Sequence, residues 1–271
     1  MTGELWVLKL GGGAVTCKRE NRRAARRDVI RAAARQIARA RRDRSPSPAL
    51  VVVHGAGPFG HSLVAEYGIN DGVAGPRQVE GFVRTHNSME DLNKQVMDLF
   101  REEGLWGFPL QPSACVVQRA RRIETFFFEP VERLLDLDAG IIPLLYGDMV
   151  ADRSLGASVV SGDLLVVHLA RHLGARRVLL GTDVSGVFTA DPRRDPAARR
   201  IERIDRDGLE SALAHAGGSA GVDVTRGMRG KIERLFEHLS GVPALIFDLT
   251  EPDALYRALG GGDVAGTEIV T

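Results

Sequence analysis

Apolar residues fall into short runs separated by longer amphipathic stretches. Residues 5–10, 49–53, 141–145, 177–180 and 243–247 are rich in Val, Ile and Leu, several of them nearly without interruption, as in strands buried on both faces. Between the first two runs, Val29, Ala33 and Ile37 recur at helical spacing beside Ile30, Ala34 and Ala38, while Arg27, Arg31, Arg35 and Arg39 share the far side. This predicts a crossover helix with a solvated arginine face; no aromatics interleave with the arginines as they would in a nucleic-acid surface. Pro76 opens a second long helix, where Val79, Phe82, Val83, His86, Met89, Val96, Leu99 and Phe100 repeat at steps of three and four. Such a stripe is core, or, given polar His86 with Asn87 and Asn93 beside it, a face that meets a ligand or a second subunit. Residues 111–163 break into hairpin-like pieces around one helix at 130–137. Strand runs alternating with helices predict a parallel sheet sandwiched by helices, in one α/β domain with two lobes.

Composition narrows the class. The 271 residues are 44% hydrophobic and 26% charged, with 36 basic against 35 acidic side chains and a net charge of +1, which argues against a general polyanion binder. Two cysteines, Cys17 and Cys115, form no disulfide framework and fit a reducing compartment. No basic, long-apolar leader opens the chain and no apolar run reaches about 18 residues, so a cytoplasmic protein with no membrane partner is expected.

The candidate chemistry lies where strands run into glycines. Lys9 and Leu10 lead into Gly11, Gly12 and Gly13, whose backbone can approach a phosphate closely, although the P-loop spacing is absent. After the second strand comes His54-Gly55-Ala56-Gly57-Pro58-Phe59-Gly60-His61. Its glycines match the dinucleotide fingerprint, but a glycine-rich loop and a helix follow where that motif needs a strand ending in an acid. His61 stands where a helix begins and a phosphate could sit. Tyr146-Gly147-Asp148 follows the third strand, and Ser161-Gly162-Asp163 opens an apolar helix; Asp163 is a helix cap or a holder of lysine ammonium groups. Thr182-Asp183-Val184-Ser185-Gly186-Val187-Phe188, ending at Asp191, reads as a hairpin with a Ser-Gly turn. Asp223-Val224-Thr225 leads through Gly227 to Lys231, placed in the first turn of a helix, where a cation needs an anion to meet.

These segments, in this order, resemble the amino acid kinase superfamily and within it the isopentenyl phosphate kinases. The nearest features are the loop ending in Phe59-Gly60-His61, Gln111-Pro112-Ser113, Tyr146-Gly147-Asp148, Ser161-Gly162-Asp163, and Asp223-Val224-Thr225 with Gly227-Met228. The resemblance implies a three-layer α/β/α sandwich around a mainly parallel sheet, with an acceptor lobe over about 1–174 and an ATP lobe over about 175–271. It also implies transfer of the ATP γ-phosphoryl group to isopentenyl phosphate, a step of isoprenoid synthesis, and a homodimer. The acceptor, with a second pKa of about 6, is largely dianionic and needs no general base, so positioning and cationic stabilisation carry the catalysis. By the resemblance, Lys9 and Lys231 contact ATP phosphates, Lys18 stabilises the group in transit, Asp163 orients the lysines and His61 holds the acceptor phosphate. Ala56 and Gly147 present backbone to the acceptor and Gly57 to ATP. Gly11, Gly12, Gly13, Thr182, Asp183, Gly186, Val187, Asp191 and Gly227 line the nucleotide. Phe82, Val83, His86 and Met89 wall an apolar pocket for a prenyl tail. Mg²⁺ bridges ATP oxygens, with no protein residues assigned as metal ligands.

The chain departs from the family pattern at Gly13, Ala56, Pro58, Ser185 and Phe188, yet every charged catalytic position is filled. Fosfomycin kinase shares the scaffold and the cationic set, and a non-catalytic nucleotide-binding or sensing module is the reading from another class. One compositional fact bears on all of these: 32 arginines stand against the lysines Lys9, Lys18, Lys94 and Lys231. Three of those four sit where phosphoryl chemistry wants a compact ammonium rather than a planar fork. Replacing Lys9, Lys18 or Lys231 with arginine is therefore expected to lower turnover sharply in an ADP-release assay. A Lys18→Arg enzyme as fast as wild type would contradict this.

Overall fold

The computed structural model describes residues 4–20, 22–138, 140–192, 194–215 and 227–271, so Asp223, Val224 and Thr225 lie outside the described residues. To residue 137 the chain runs β1 (Leu5–Leu10), α1 (Gly12–Val15), α2 (Arg27–Asp43), β2 (Ala49–His54), α3 (Pro58–Tyr67), α4 (Pro76–Glu102), β3 (Trp106–Pro109), α5 (Pro112–Cys115), β4 (Val116–Arg119), β5 (Arg122–Phe126) and α6 (Glu129–Leu137). It continues with β6 (Ile141–Tyr146), β7 (Asp148–Asp152), β8 (Gly156–Val160), α7 (Gly162–His172), β9 (Arg177–Thr182), β10 (Val187–Phe188), β11 (Arg200–Ile201) and β12 (Arg203–Ile204). It ends with α8 (Leu209–His215), α9 (Gly227–His238), β13 (Ala244–Asp248), α10 (Ala254–Gly260) and β14 (Gly266–Ile269).

The main sheet has the order β12-β14-β13-β9-β1-β2-β6-β3, and every pairing in it is parallel except β13 with β14. Each predicted strand is present. Both faces are covered, which is why these strands carry apolar residues without alternation. Leu5, Val7, Val51, Val53, Leu180 and Ile246 pack toward α7 and α9, while Trp6, Leu8, Leu10, Val52 and Phe247 pack toward α2, α4 and α10. Lys9 shares the side of Leu5 and Val7 because side chains alternate along a strand. It therefore points at the layer of α7 and α9.

The arginine face of α2 meets carboxylates on its neighbours: Arg31 pairs with Glu102, Arg35 with Glu103 and Arg39 with Asp253. The region predicted as hairpin-like pieces forms a second sheet of order β5-β4-β7-β8, in which β4 with β5 and β7 with β8 are antiparallel. Its interior holds polar Gln118, Asp152 and Ser158, with the Ser158 hydroxyl within hydrogen-bond distance of both of the others.

Four parallel strands, β9, β1, β2 and β6, end on the same side of the sheet, and the chain winds outward in both directions from β1. Ligands of open α/β sheets sit at such a switch point. The loops extend the sheet ladder: Gly11 N–H donates to Gly181 O at 2.8 Å, Gly55 N–H to Leu10 O at 2.9 Å, and Gly147 N–H to His54 O at 3.1 Å. Two glycine loops touch backbone to backbone, so a Cβ on Gly12 would stand 2.5 Å from Gly57 N and one on Gly55 would stand 2.5 Å from Gly12 N. Gly12→Ala is expected to cost about 1–3 kcal/mol through overpacking. Denaturant unfolding measures it, and unchanged stability would refute the contact.

Candidate active site

Strand alternation sends Lys9 off β1 toward the start of α7, where Ser161 caps the helix by accepting from Leu164 N–H at 3.2 Å. With the cap supplied by Ser161, Asp163 is left to serve as the ion-pair holder. Lys9 Nζ lies 2.7 Å from Asp163 Oδ2, and Lys231 Nζ donates to Asp163 Oδ1 at 2.7 Å. All three are buried, at 6%, 7% and 8% exposure for Lys9, Asp163 and Lys231. Lys231 lies beyond the first turn predicted for it, since α9 begins at Gly227 and not after the lysine.

The electrostatics of the triad follow from two cations sharing one anion. Burial would raise the Asp163 carboxyl, but Lys231 and Lys9 outweigh it and hold the group far below the usual carboxylate range. Burial pushes the Lys9 ammonium down to about 7, against the pull of Asp163 and aided by repulsion from Lys231. A second anion brought into contact restores the charged form. The triad is thus a cationic contact for an anion such as a phosphate.

It opens onto a cavity of about 1200 Å³, lined also by Gly11, Gly12, Gly13, Lys18, Ala56, Gly57, His61, Met89 and Gly147, and by Thr182, Asp183, Gly186, Val187, Asp191 and Gly227. Lys18 reaches it from a 3-10 turn at Lys18–Glu20, and His61 from the first turn of α3. Gly147 brings room rather than a donor, because its N–H is taken by His54 O and a Cβ there would stand 3.2 Å from Gly162 N.

The predicted apolar wall is corrected by the rotation of α4. Of Phe82, Val83, His86 and Met89, only Met89 lines the cavity. Phe82 packs with Val64, Ile69, Met149 and Ala157, Val83 is 47% exposed, and His86 Nδ1 donates to Asp148 Oδ1 at 2.9 Å. The helix face at the cavity carries Thr85 and Met89, four residues apart, and the wall is completed by Val64 of α3, Met149 of β7 and Val159 of β8. Thr85 fell outside the apolar stripe because it is polar. Val64 was legible in principle, lying one turn beyond His61 on the same helix.

The amino acid kinase family model matches residues 4–248. The chain is 39% identical over 271 residues to the isopentenyl phosphate kinase of Methanothermobacter thermautotrophicus, covering 97% of this chain and 98% of that protein. It is 35% identical over 267 residues to the isopentenyl phosphate kinase of Haloferax volcanii, covering 98% of each. A crystal structure of an isopentenyl phosphate kinase superposes with a TM-score of 0.82 at 36% identity, covering 98% of this chain and 100% of that one.

Removing the Asp163 charge would take from two buried lysines the one anion that both contact. Asp163→Asn is expected to destabilise the protein by about 3–5 kcal/mol. Denaturant unfolding checks it, and wild-type stability in this variant would show that the lysines do not depend on the carboxylate.

Proposed function

Because the chain belongs to the amino acid kinase family, with isopentenyl phosphate kinases as full-length relatives, we propose that it transfers the γ-phosphoryl group of ATP to isopentenyl phosphate, releasing ADP and isopentenyl diphosphate. The observation that carries this reading is the buried Lys9–Asp163–Lys231 bridge, set in a cavity with glycine loops near the triad and an apolar wall from α3, α4, β7 and β8. Two anions must meet there, and the surplus positive charge of the bridge lowers the cost of their approach.

In this reading Lys9 and Lys231 hold the ATP phosphates, Lys18 follows the group in transit, and His61 fixes the acceptor phosphate. Ala56 faces the acceptor, and Val64, Met89, Met149 and Val159 take its prenyl tail. Gly57, the loop of Gly11, Gly12 and Gly13, the Thr182–Asp191 segment and Gly227 face the nucleotide. The acceptor lobe then spans about 1–174 and the nucleotide lobe about 175–271. Both oxygens of Asp163 are engaged by ammonium groups, so Mg²⁺ is assigned to the ATP oxygens and water. Its charge would offset that of the β- and γ-phosphates. A homodimer accords with the apolar edge at β3, where Trp106 is 66% and Phe108 46% exposed. Among the described residues no helix is long and apolar enough to cross a membrane. Two free cysteines accord with a cytoplasmic site of action.

A coupled ADP-release assay tests the reading, with isopentenyl phosphate and fosfomycin as alternative acceptors. Turnover is expected with the former, falling about 10²–10³-fold in Lys18→Ala and in His61→Ala. Turnover of fosfomycin but not of isopentenyl phosphate would overturn the assignment. ATP binding without turnover of either would point to a nucleotide-binding module.

A further inference from the structure

His86 sits in an apolar stripe yet avoids the cavity, and Gln111 belongs to a segment to which the proposed chemistry gives no role. The two meet. With the Nδ1 proton on Asp148, the neutral ring presents Nε2 as an acceptor, and Gln111 Nε2 donates to it at 3.0 Å. Gln111 also donates to Ser113 Oγ at 2.8 Å. The Asp148 side chain is fully buried and its remaining bonds come from backbone: Met149 N–H at 2.8 Å and Ser113 N–H at 3.4 Å. A buried carboxylate without such partners would be costly, so the elements supplying them are held in place.

Those elements are the walls of the cavity's apolar end. Thr85, next to His86 on α4, lines it, and so does Met149, next to Asp148 on β7. We propose that Gln111, His86 and Asp148 form a clamp that fixes α4 against β7 and so sets the width of the acceptor end, making His86 a positioning residue for the acceptor. This rests on the acceptor assignment given above. Neither bond of the clamp reaches the Lys9–Asp163–Lys231 bridge, so nucleotide binding does not depend on it.

The clamp also responds to pH. The hydrogen bond to Asp148 raises His86 above its ordinary value against partial burial, and Asp148 and Glu90 add to the rise. Glu90 Oε2 lies 3.7 Å from Nε2 on the same helix. From the other elements, Gln111 is neutral, and burial pushes the Cys115 thiol up to about 11 and the Tyr146 phenol higher still, so both stay uncharged. Protonated His86 therefore faces the carboxylates of Asp148 and Glu90, and its Nε2–H is accepted by Gln111 once that amide turns its Oε1 toward the ring and the Ser113 hydroxyl. As pH rises through its titration, a charged pair becomes a weaker neutral–ionic hydrogen bond and the clamp loosens.

Steady-state kinetics with ATP and isopentenyl phosphate test this in the full-length protein. His86→Ala is expected to raise the acceptor KM about tenfold while the ATP KM stays within about twofold. His86→Asn, which keeps a donor near the Nδ1 position but cannot titrate, should restore much of the acceptor KM. Its acceptor KM should also rise less steeply with pH than that of wild type, where loss of the His86 proton loosens the clamp. Equal rises in both KM values, an unchanged acceptor KM, or identical pH profiles for wild type and His86→Asn would each overturn the clamp. Should His86→Ala not fold, Gln111→Ala at the exposed end and the His86→Asn profile decide in its place. Failure of wild type to use isopentenyl phosphate would instead strike the acceptor assignment.

Discussion

A single buried carboxylate shared by two ammonium groups organises this molecule. Burying three charges is expensive, and the expense is tolerable only if the geometry is held from several sides. Here β1 supplies one cation, the start of α7 supplies the anion, and α9 supplies the second cation from far along the chain. The helices α7 and α9 pack on each other and on the same face of the sheet, so the hydrophobic layer between them is also what keeps Asp163 between its lysines. Two lysines share one carboxylate at the cavity, and with the Lys9 ammonium pushed down to about 7 by burial the second positive charge is held only loosely. The site is incomplete in charge until an anion arrives.

Anions carried by phosphates are bulky, and the backbone must make way for them. The glycine loops after β1 and β2 press against each other so closely that no side chain fits between them. Tight loop packing and an open cavity come from the same absence of Cβ atoms. Strand ends, loops and the ion-pair triad thus form one construction, in which the sheet fixes positions to within the tolerance that phosphoryl transfer requires.

Much of this was legible in the sequence. The strands announced themselves because burial on both faces leaves uninterrupted apolar runs, and Lys9, Lys18 and Lys231 stood out against a background of arginine. What escaped were features set by rotation and by partner choice. The α4 stripe is apolar over more than half its circumference, and neighbouring helical positions differ by about 100°. Nothing local says that Thr85 and Met89 face the cavity while Val83 faces away. The Gly147 loop was placed correctly, but its N–H was free to pair with either a ligand or the sheet until β2 and β6 were seen side by side. The small sheet stayed vague because its strands are short and bury Gln118, Asp152 and Ser158 among apolar residues such as Val116, Val150 and Val160.

The alternation of β1 has a further consequence. In six residues it serves two layers at once, sending Leu5, Val7 and Lys9 one way and Trp6, Leu8 and Leu10 the other. One residue added or lost between Leu5 and Lys9 would carry the ammonium group through the sheet into the apolar layer that holds Leu8, Leu10 and Val52, and would hand Asp163 a leucine. Loops on this scaffold can change length and still leave the bridge intact, whereas β1 cannot. The number of residues in that strand is as much a part of the chemistry as their identity.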